Sequence, residues 1–207
     1  MALPALRLVR GVSPSTRPLA QQLPAGRIVE LSGTSSQPGA KTTTAVAIVR
    51  QAQAQGETTV WIQPEGGTLY PPDLAAAGID LQSLVVVHIP RSAGPHGLCK
   101  AAELLLRSGA WGLCVVDLTL GAPTGPAETW QGRLLGLCRQ HDSRLVLLTD
   151  KPASATSLGT LVGLRVQPRR SRLDPGRFEV EHQVLKNKIG TAATTSNDVY
   201  CGPAGLT

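Results

Sequence analysis

Five short apolar runs alternate with segments of helical periodicity between residues 26 and 150. Runs this rich in Val, Leu and Ile are typical of strands that are buried on both faces of a parallel sheet, with helices as the crossovers. The sequence therefore predicts an α/β fold with a mostly parallel sheet flanked by helices. The predicted strands are "GRIVELSG" (26–33), "TTVWIQ" (58–63), "SLVVVHIP" (83–90), "WGLCVVDLT" (111–119) and "SRLVLLTD" (143–150).

The pattern changes after residue 150. Two alternating segments, "LVGLRVQP" (161–168) and "FEVEHQVLKNK" (178–188), are separated by a charged turn with Pro and Gly, which is typical of a β-hairpin. We expect this hairpin to add an antiparallel edge at the C-terminal side of the sheet. The predicted domains are an N-terminal arm (1–25), a core (26–190) and, from its Thr, Gly and Ala content, a flexible C-terminal tail (191–207).

The composition excludes several classes of function. Apolar residues make up 42% of the chain, which argues against disorder, and aromatic residues only 3%, which removes the stacking platforms of single-strand binders. The four cysteines form no CxxC pair, so we expect reduced, buried thiols and no metal site. No apolar stretch approaches the ~20 residues of a membrane span, and the N-terminus has no secretory signal pattern. We therefore expect a cytoplasmic protein with no membrane partner.

The net charge of +6 is concentrated near the two ends of the chain. Residues 1–29 hold four Arg and no acid, and residues 165–188 hold five Arg and two Lys against three acids. Basic ends on a nearly neutral middle indicate an acidic partner, either the phosphates of nucleic acid or an acidic protein face. The candidate interaction residues in the second region are Arg165, Arg169, Arg170, Arg172, Lys186 and Lys188.

The stretch "SGTSSQPGAKTTTAVAIV" follows the first predicted strand and opens a helix. A working phosphate loop reads G-x4-G-K-[ST], in which backbone N–H groups surround the phosphates, the Lys neutralises them and the hydroxyl binds Mg²⁺. Here five residues separate Gly33 from Gly39, and Ala40 stands between Gly39 and the pair Lys41 and Thr42. We expect this loop to keep the strand-to-helix turn and to have lost triphosphate binding.

Four stretches resemble the ATPase core of bacterial RecA recombinases and together span about residues 20–192. They are "GRIVELSG", "VWIQPEGGTLYPPDLAAAGIDLQSLVV", "ELLLRSGAWGLCVVDLT" and "VEHQVLKNKIG". The short chain most resembles the small ImuA proteins, which mutagenesis cassettes encode together with an ImuB-like adaptor and an error-prone polymerase. The resemblance implies a RecA-like core, and it places the strand end at Lys186, Asn187 and Lys188 near a subunit interface.

The resemblance also assigns positions around ATP. It places Glu65 where RecA has the acid that polarises the attacking water, and Asp117 where an acid orients Mg²⁺. The fifth strand ends in Thr149 and Asp150, where RecA has an Asn-Gln pair that senses the terminal phosphate, and a carboxylate there repels a phosphate. The expected vestigial positions for ATP and Mg²⁺ are Gly33, Gly39, Lys41, Thr42, Glu65 and Asp117.

These features predict a non-catalytic, RecA-like accessory protein of DNA damage-induced mutagenesis, within the SOS response and translesion synthesis. By resemblance, its partners are RecA or its filament, an ImuB-like adaptor and the error-prone polymerase, and it associates with the nucleoid when active. Two alternatives stay open. One is a small DNA-stimulated RecA-type ATPase that uses ATP and Mg²⁺. The other is a non-specific DNA-binding module whose basic ends contact phosphates.

Overall fold

A computed structural model describes residues 18–35, 40–190 and 196–201 of the chain. Within these ranges, eight strands form one sheet in the order β3-β2-β4-β5-β1-β6-β7-β8. The first six strands of that order are parallel, and β7 and β8 are antiparallel to their neighbours. The strands are β1 (Arg27–Ser32), β2 (Thr59–Pro64), β3 (Leu84–Ile89), β4 (Leu113–Leu118), β5 (Arg144–Thr149), β6 (Leu164–Asp174), β7 (Arg177–Asn187) and β8 (Ser196–Cys201).

Within the described ranges, four α-helices cover the two faces of the sheet. They are α1 (Lys41–Ala54), α2 (Pro71–Ala76), α3 (Gly94–Arg107) and α4 (Ala127–Gln140). The apolar sides of α1 and α2 pack on one face, and those of α3 and α4 pack on the other. This arrangement confirms the predicted α/β fold, including the mostly parallel sheet and the antiparallel hairpin at its C-terminal edge.

The strands at the centre of the sheet are apolar because helices cover both faces there and exclude water. Every residue of β2, β4 and β5 is buried, whereas β3, at one edge of the sheet, has only exposed and half-buried residues. Val85 on β3 is 45% exposed. Burial on both faces accordingly explains why the sequence of the inner strands is continuously apolar.

The core extends beyond the predicted boundaries at both ends. Residues 196–201, which the sequence assigns to a flexible tail, form β8, because Tyr200 is buried and stacks on Phe178 with ring centroids 5.7 Å apart. Leu19 and Leu23, which belong to the predicted arm, are buried in the cluster around α1. The rest of the predicted arm and tail (1–17, 191–195 and 202–207) lies outside the described residues.

Three of the four cysteines are buried as expected, and the fourth, Cys201, is free and half-buried. Cys99, Cys114 and Cys138 are free and buried, and burial raises the pKa of Cys99 and of Cys138 to about 12. These thiols are therefore protonated at neutral pH. No group of three or more His, Cys, Asp or Glu that could hold a metal occurs within the described ranges. Helices long and apolar enough to cross a bilayer are also absent from that part of the chain.

Candidate functional site

The carboxyl ends of four neighbouring parallel strands bring most of the predicted ATP positions to one edge of the sheet. From β2 to β4, β5 and β1, these strands end beside Glu65, Asp117, Asp150 and Gly33 respectively. The pairing register confirms the alignment, because Thr149 lies opposite Leu118 on one side and Ser32 on the other. This is the edge at which open α/β sheets place ligands.

Lys41, the first residue of α1, is held at this edge by backbone carbonyls. Its Nζ donates to the carbonyl oxygen of Gly33 at 2.7 Å and to that of Thr149 at 3.1 Å. Burial lowers the pKa of Lys41, and the negative charges of Asp150 and Asp117 partly offset that effect. The ammonium group therefore lies within electrostatic reach of both strand-end carboxylates.

The turn that follows β1 binds a carboxylate from elsewhere in the chain. Ser35 donates its backbone N–H to Asp150 Oδ1 at 3.0 Å and its hydroxyl to Asp150 Oδ2 at 2.7 Å. A phosphate-binding loop directs donors of this kind at the ligand. In this protein the turn directs its donors at the Asp150 side chain, at the end of the neighbouring strand β5.

The start of α1 departs from a phosphate loop in a second way. Ala40 precedes the helix, and its buried side chain packs with Val180 of β7 and Tyr200 of β8. A residue with a Cβ therefore serves packing at a place where a phosphate loop has Gly. Thr42 is exposed in the first turn of α1, and Gly39 lies outside the described residues.

The two acids assigned by the resemblance have different surroundings. Asp117 Oδ1 accepts from the backbone N–H of Thr119 at 3.0 Å and from its hydroxyl at 2.6 Å, so this carboxylate caps the turn after β4. Glu65 lies in an exposed turn whose backbone is held by Ile89 and by Arg91, whose Nε donates to the Glu65 carbonyl at 3.0 Å. Asp117 therefore already has structural contacts, while the Glu65 carboxylate faces solvent.

The predicted interaction residues divide into two groups. Arg165 is 2% exposed and donates to the carbonyl oxygens of Ala155 and Pro152, so it is an interior residue and not a surface contact. Lys186 is half-buried, and its Nζ donates to the Gly159 carbonyl at 2.8 Å. The exposed members of the predicted set are Arg169, Arg170, Arg172, Asn187 and Lys188.

A comparison with known families decides the affiliation. The sequence profile of the RecA N-terminal domain matches residues 20–137, which is more than half of the chain. The chain belongs to the RecA N-terminal domain family. The matched region runs from the first turn of the described core into α4, and it includes Lys41, Glu65 and Asp117.

Individual RecA proteins are similar to this chain over about half of its length. Protein RecA of Deinococcus radiodurans is 42% identical over 106 residues, which are 51% of this chain and 27% of that protein. Protein RecA of Acinetobacter baylyi is 38% identical over 108 residues, 51% of this chain and 28% of that protein. Protein RecA of Clostridium novyi is 37% identical over 95 residues, which are 46% of this chain and 25% of that protein. The match thus spans about a quarter of the length of these RecA proteins.

Sequence reasoning missed a buried ionic network beneath this RecA-like edge. Glu30, on β1, is fully buried, and it accepts from Thr149 Oγ1 at 2.9 Å and from the backbone N–H of Leu158 at 2.8 Å. Arg165 Nε lies 3.8 Å from Glu30 Oε1 and donates to Ser32 Oγ at 2.9 Å. A charged residue inside the apolar run "RIVELS" was the signal that could have revealed this network.

A second buried polar contact joins α1 to the antiparallel strands β7 and β8. His182 on β7 is 1% exposed, with its Nε2 3.0 Å from Thr44 Oγ1 and its Nδ1 3.2 Å from Ser196 Oγ. Burial lowers the pKa of His182 to about 4, although the Asp198 carboxylate lies 3.7 Å from Nδ1. The imidazole is therefore neutral at physiological pH.

Proposed function

We propose that this protein is a non-catalytic, RecA-like accessory protein of DNA damage-induced mutagenesis, of the ImuA kind. It acts by binding RecA or its filament and an ImuB-like adaptor that recruits an error-prone polymerase during translesion synthesis. Membership of the RecA family supports a role in the same process as RecA. A surface inherited from RecA can bind a RecA filament, while a chain without ATP turnover does not propagate it.

One observation carries the non-catalytic part of the proposal: the Asp150 carboxylate accepts both donors of Ser35 in the turn after β1. A terminal phosphate needs donors in this turn, and its charge repels a carboxylate at close range. The contacts of Lys41 with two backbone carbonyls add to the same conclusion, since a phosphate would have to displace them. The hydrogen-bond donors of Ser35 and Lys41 at this edge are thus already paired with groups of the chain itself.

A small DNA-stimulated RecA-type ATPase is the second candidate. The observation that favours it is the position of Lys41 within electrostatic reach of Asp117 at the carboxyl edge. In such an enzyme the Thr42 hydroxyl and the Asp117 carboxylate would hold Mg²⁺, and Glu65 would orient the attacking water. Of these side chains, Asp117 is already engaged by Thr119, so the fit to Mg²⁺ is partial.

Calorimetry with Mg²⁺-ATP separates the two candidates. The purified chain is titrated with Mg²⁺-ATP beside a Lys41→Ala control, and phosphate release is measured with and without single-stranded DNA. We expect neither heat of binding nor turnover. Binding in the micromolar range, about −8 kcal/mol, that disappears in Lys41→Ala contradicts the proposal and establishes the ATPase.

The partner is tested separately. RecA filaments formed on single-stranded DNA with a slowly hydrolysed ATP analogue are sedimented with the chain, and naked DNA serves as the control. Co-sedimentation with filaments and not with DNA supports RecA binding. Equal retention on naked DNA that falls steeply with salt instead favours the phosphate-binding alternative.

A further inference from the structure

A cavity of about 240 Å³ lies between α3 and α4, on the face of the sheet opposite α1. Its apolar floor includes Trp130 and Leu134, which are 7% and 1% exposed. The exposed side chains of His96, Lys100 and Arg133 form its rim. None of these residues takes part in the edge described above.

Two hydrogen-bond donors at the cavity have no acceptor among the residues that the structure describes. Trp130 Nε1 is buried and has no hydrogen-bond partner among the described residues. The backbone N–H of Thr124 donates to His96 Nε2 at 3.2 Å, so in the neutral ring the proton must be on Nδ1. His96 Nδ1 also has no acceptor in the part of the chain that the structure describes. Trp130 Nε1 is enclosed, whereas His96 is exposed, so water can accept from His96 Nδ1 and an acceptor oxygen of a bound segment can replace that water.

Positive charge exceeds negative charge around the same opening. Glu103 is the carboxylate of the cavity, and it is shared by Lys100 at 3.7 Å, Arg107 at 2.5 Å and Arg133 at 3.4 Å. One carboxylate cannot neutralise three cations, so this surface keeps an excess of two positive charges. The cation side chains are 56–61% exposed and can therefore reach a second anionic group.

The charged surface extends along α3 beyond the cavity. Lys100 and Arg107 are seven positions apart, which corresponds to about 10 Å along a helix. Leu104 lies between them on the same side and is 56% exposed. A small anion fills only the cavity, whereas an extended acidic segment with an apolar side chain matches the whole surface.

We propose that this cavity between α3 and α4 binds an acidic peptide segment of a partner protein. An apolar side chain of the segment packs on Trp130 and Leu134. A neighbouring Asp or Glu carboxylate accepts from His96 Nδ1 and pairs with Arg133. The site is independent of the nucleotide question, because it lies on the other face of the sheet from Lys41.

The indole N–H resonances offer a direct test, since the chain has only three Trp. The ¹⁵N-labelled protein is titrated with acetyl-Glu-Glu-Leu-Phe-amide, with its Gln-Gln-Leu-Phe analogue, and with free glutarate. Trp130→Phe assigns the relevant resonance, and Trp61 and Trp111 serve as internal references. We expect the acidic peptide to shift the Trp130 resonance and to bind at least about fivefold more tightly than the neutral peptide.

Two variants complete the test. Arg133→Gln is expected to weaken the acidic peptide by about fivefold or more, whereas Arg139→Gln, an exposed arginine on the same helix, leaves its affinity unchanged. The proposal is overturned if the Trp130 resonance does not shift at millimolar concentrations of the acidic peptide. It is also overturned if the neutral peptide binds as tightly as the acidic one and Arg133→Gln binds the acidic peptide as tightly as the parent chain. Glutarate binding as tightly as the peptide also overturns it, in favour of a small-molecule carboxylate site.

Discussion

The Asp150 carboxylate at the end of β5 has two roles at the carboxyl edge. It accepts both donors of Ser35, and its negative charge opposes the effect of burial on the pKa of Lys41. The same charge repels any phosphate that approaches the turn after β1. A single side chain therefore orders the turn and disfavours anions there.

Neutralising Asp150 tests this role. We expect Asp150→Asn to bind tripolyphosphate about tenfold more tightly than the parent chain, since the like charge is removed while Ser35 keeps a polar neighbour. The dissociation constants are measured by calorimetry at low salt. Asp142→Asn is the matched control, because Asp142 is exposed at the opposite end of the same strand. Equal affinities in all three proteins would show that Asp150 does not control this edge.

His182 makes the stability of the molecule depend on pH. Burial lowers its pKa from 6.5 to about 4, so between these values the unfolded chain binds more protons than the folded chain. The contribution of the neutral imidazole is fully present above pH 6.5 and is lost as the pH falls toward 4. From pH 7 to pH 5 we expect the free energy of unfolding to fall by about 2 kcal/mol for this group.

Urea unfolding across this pH range measures the effect. His182→Gln is expected to be less stable at pH 7, because the contacts with Thr44 and Ser196 change, and to show a smaller loss between pH 7 and pH 5. His88→Gln, at an exposed position of the edge strand β3, should keep the parent profile. A His182→Gln profile parallel to the parent one would rule out this histidine as the source.

At the scale of elements, the loop between β5 and β6 is fixed to the strands below it. Glu30 accepts from the backbone N–H of Leu158, and Arg165 donates to carbonyls of the loop. Lys186 adds a bond from β7 to the Gly159 carbonyl. This loop is therefore held by charged side chains from three strands, β1, β6 and β7, of which Glu30 and Arg165 are buried.

Breaking the Glu30–Arg165 pair is expected to destabilise the protein and release the loop. Glu30→Gln or Arg165→Met alone should each lower the free energy of unfolding by about 3 kcal/mol, because the remaining charge is buried without its partner. The double variant should lose less than the sum of the two. Hydrogen exchange at the Leu158 amide, which donates to Glu30, should accelerate more in Glu30→Gln than global destabilisation explains. Additive losses with unchanged Leu158 exchange would contradict this account of the loop.

The same elements show what sequence alone can predict. Apolar runs and their spacing predicted the first five strands and the hairpin, because burial on both faces imposes composition directly. Strand β8 was missed, since only Val199 and Tyr200 in it are apolar and buried, and the flanking residues resemble a tail. The contacts of Asp150 with Ser35 were not predictable, because they join residues 115 positions apart through the strand order.

For the whole molecule, the structure separates charges that serve the interior from charges that face solvent. Arg165 and Lys186, from the predicted interaction set, are committed to the loop between β5 and β6. Lys188 is exposed, and its Nζ lies 3.5 Å from the Thr160 carbonyl oxygen. A test of partner binding through this strand end should therefore change Lys188 and leave Lys186 intact.

Charge reversal at Lys188 tests the proposed binding to RecA. If this strand end contacts a RecA filament, Lys188→Glu should weaken co-sedimentation with filaments about tenfold, because an exposed lysine paired across an interface becomes a like charge. It should also relieve any inhibition of RecA-promoted strand exchange by the parent chain. Arg139→Glu, an exposed reversal on α4, is the matched control. An unchanged affinity for Lys188→Glu, with equal melting temperatures for all three proteins, would exclude this strand end and move the filament contact to another surface.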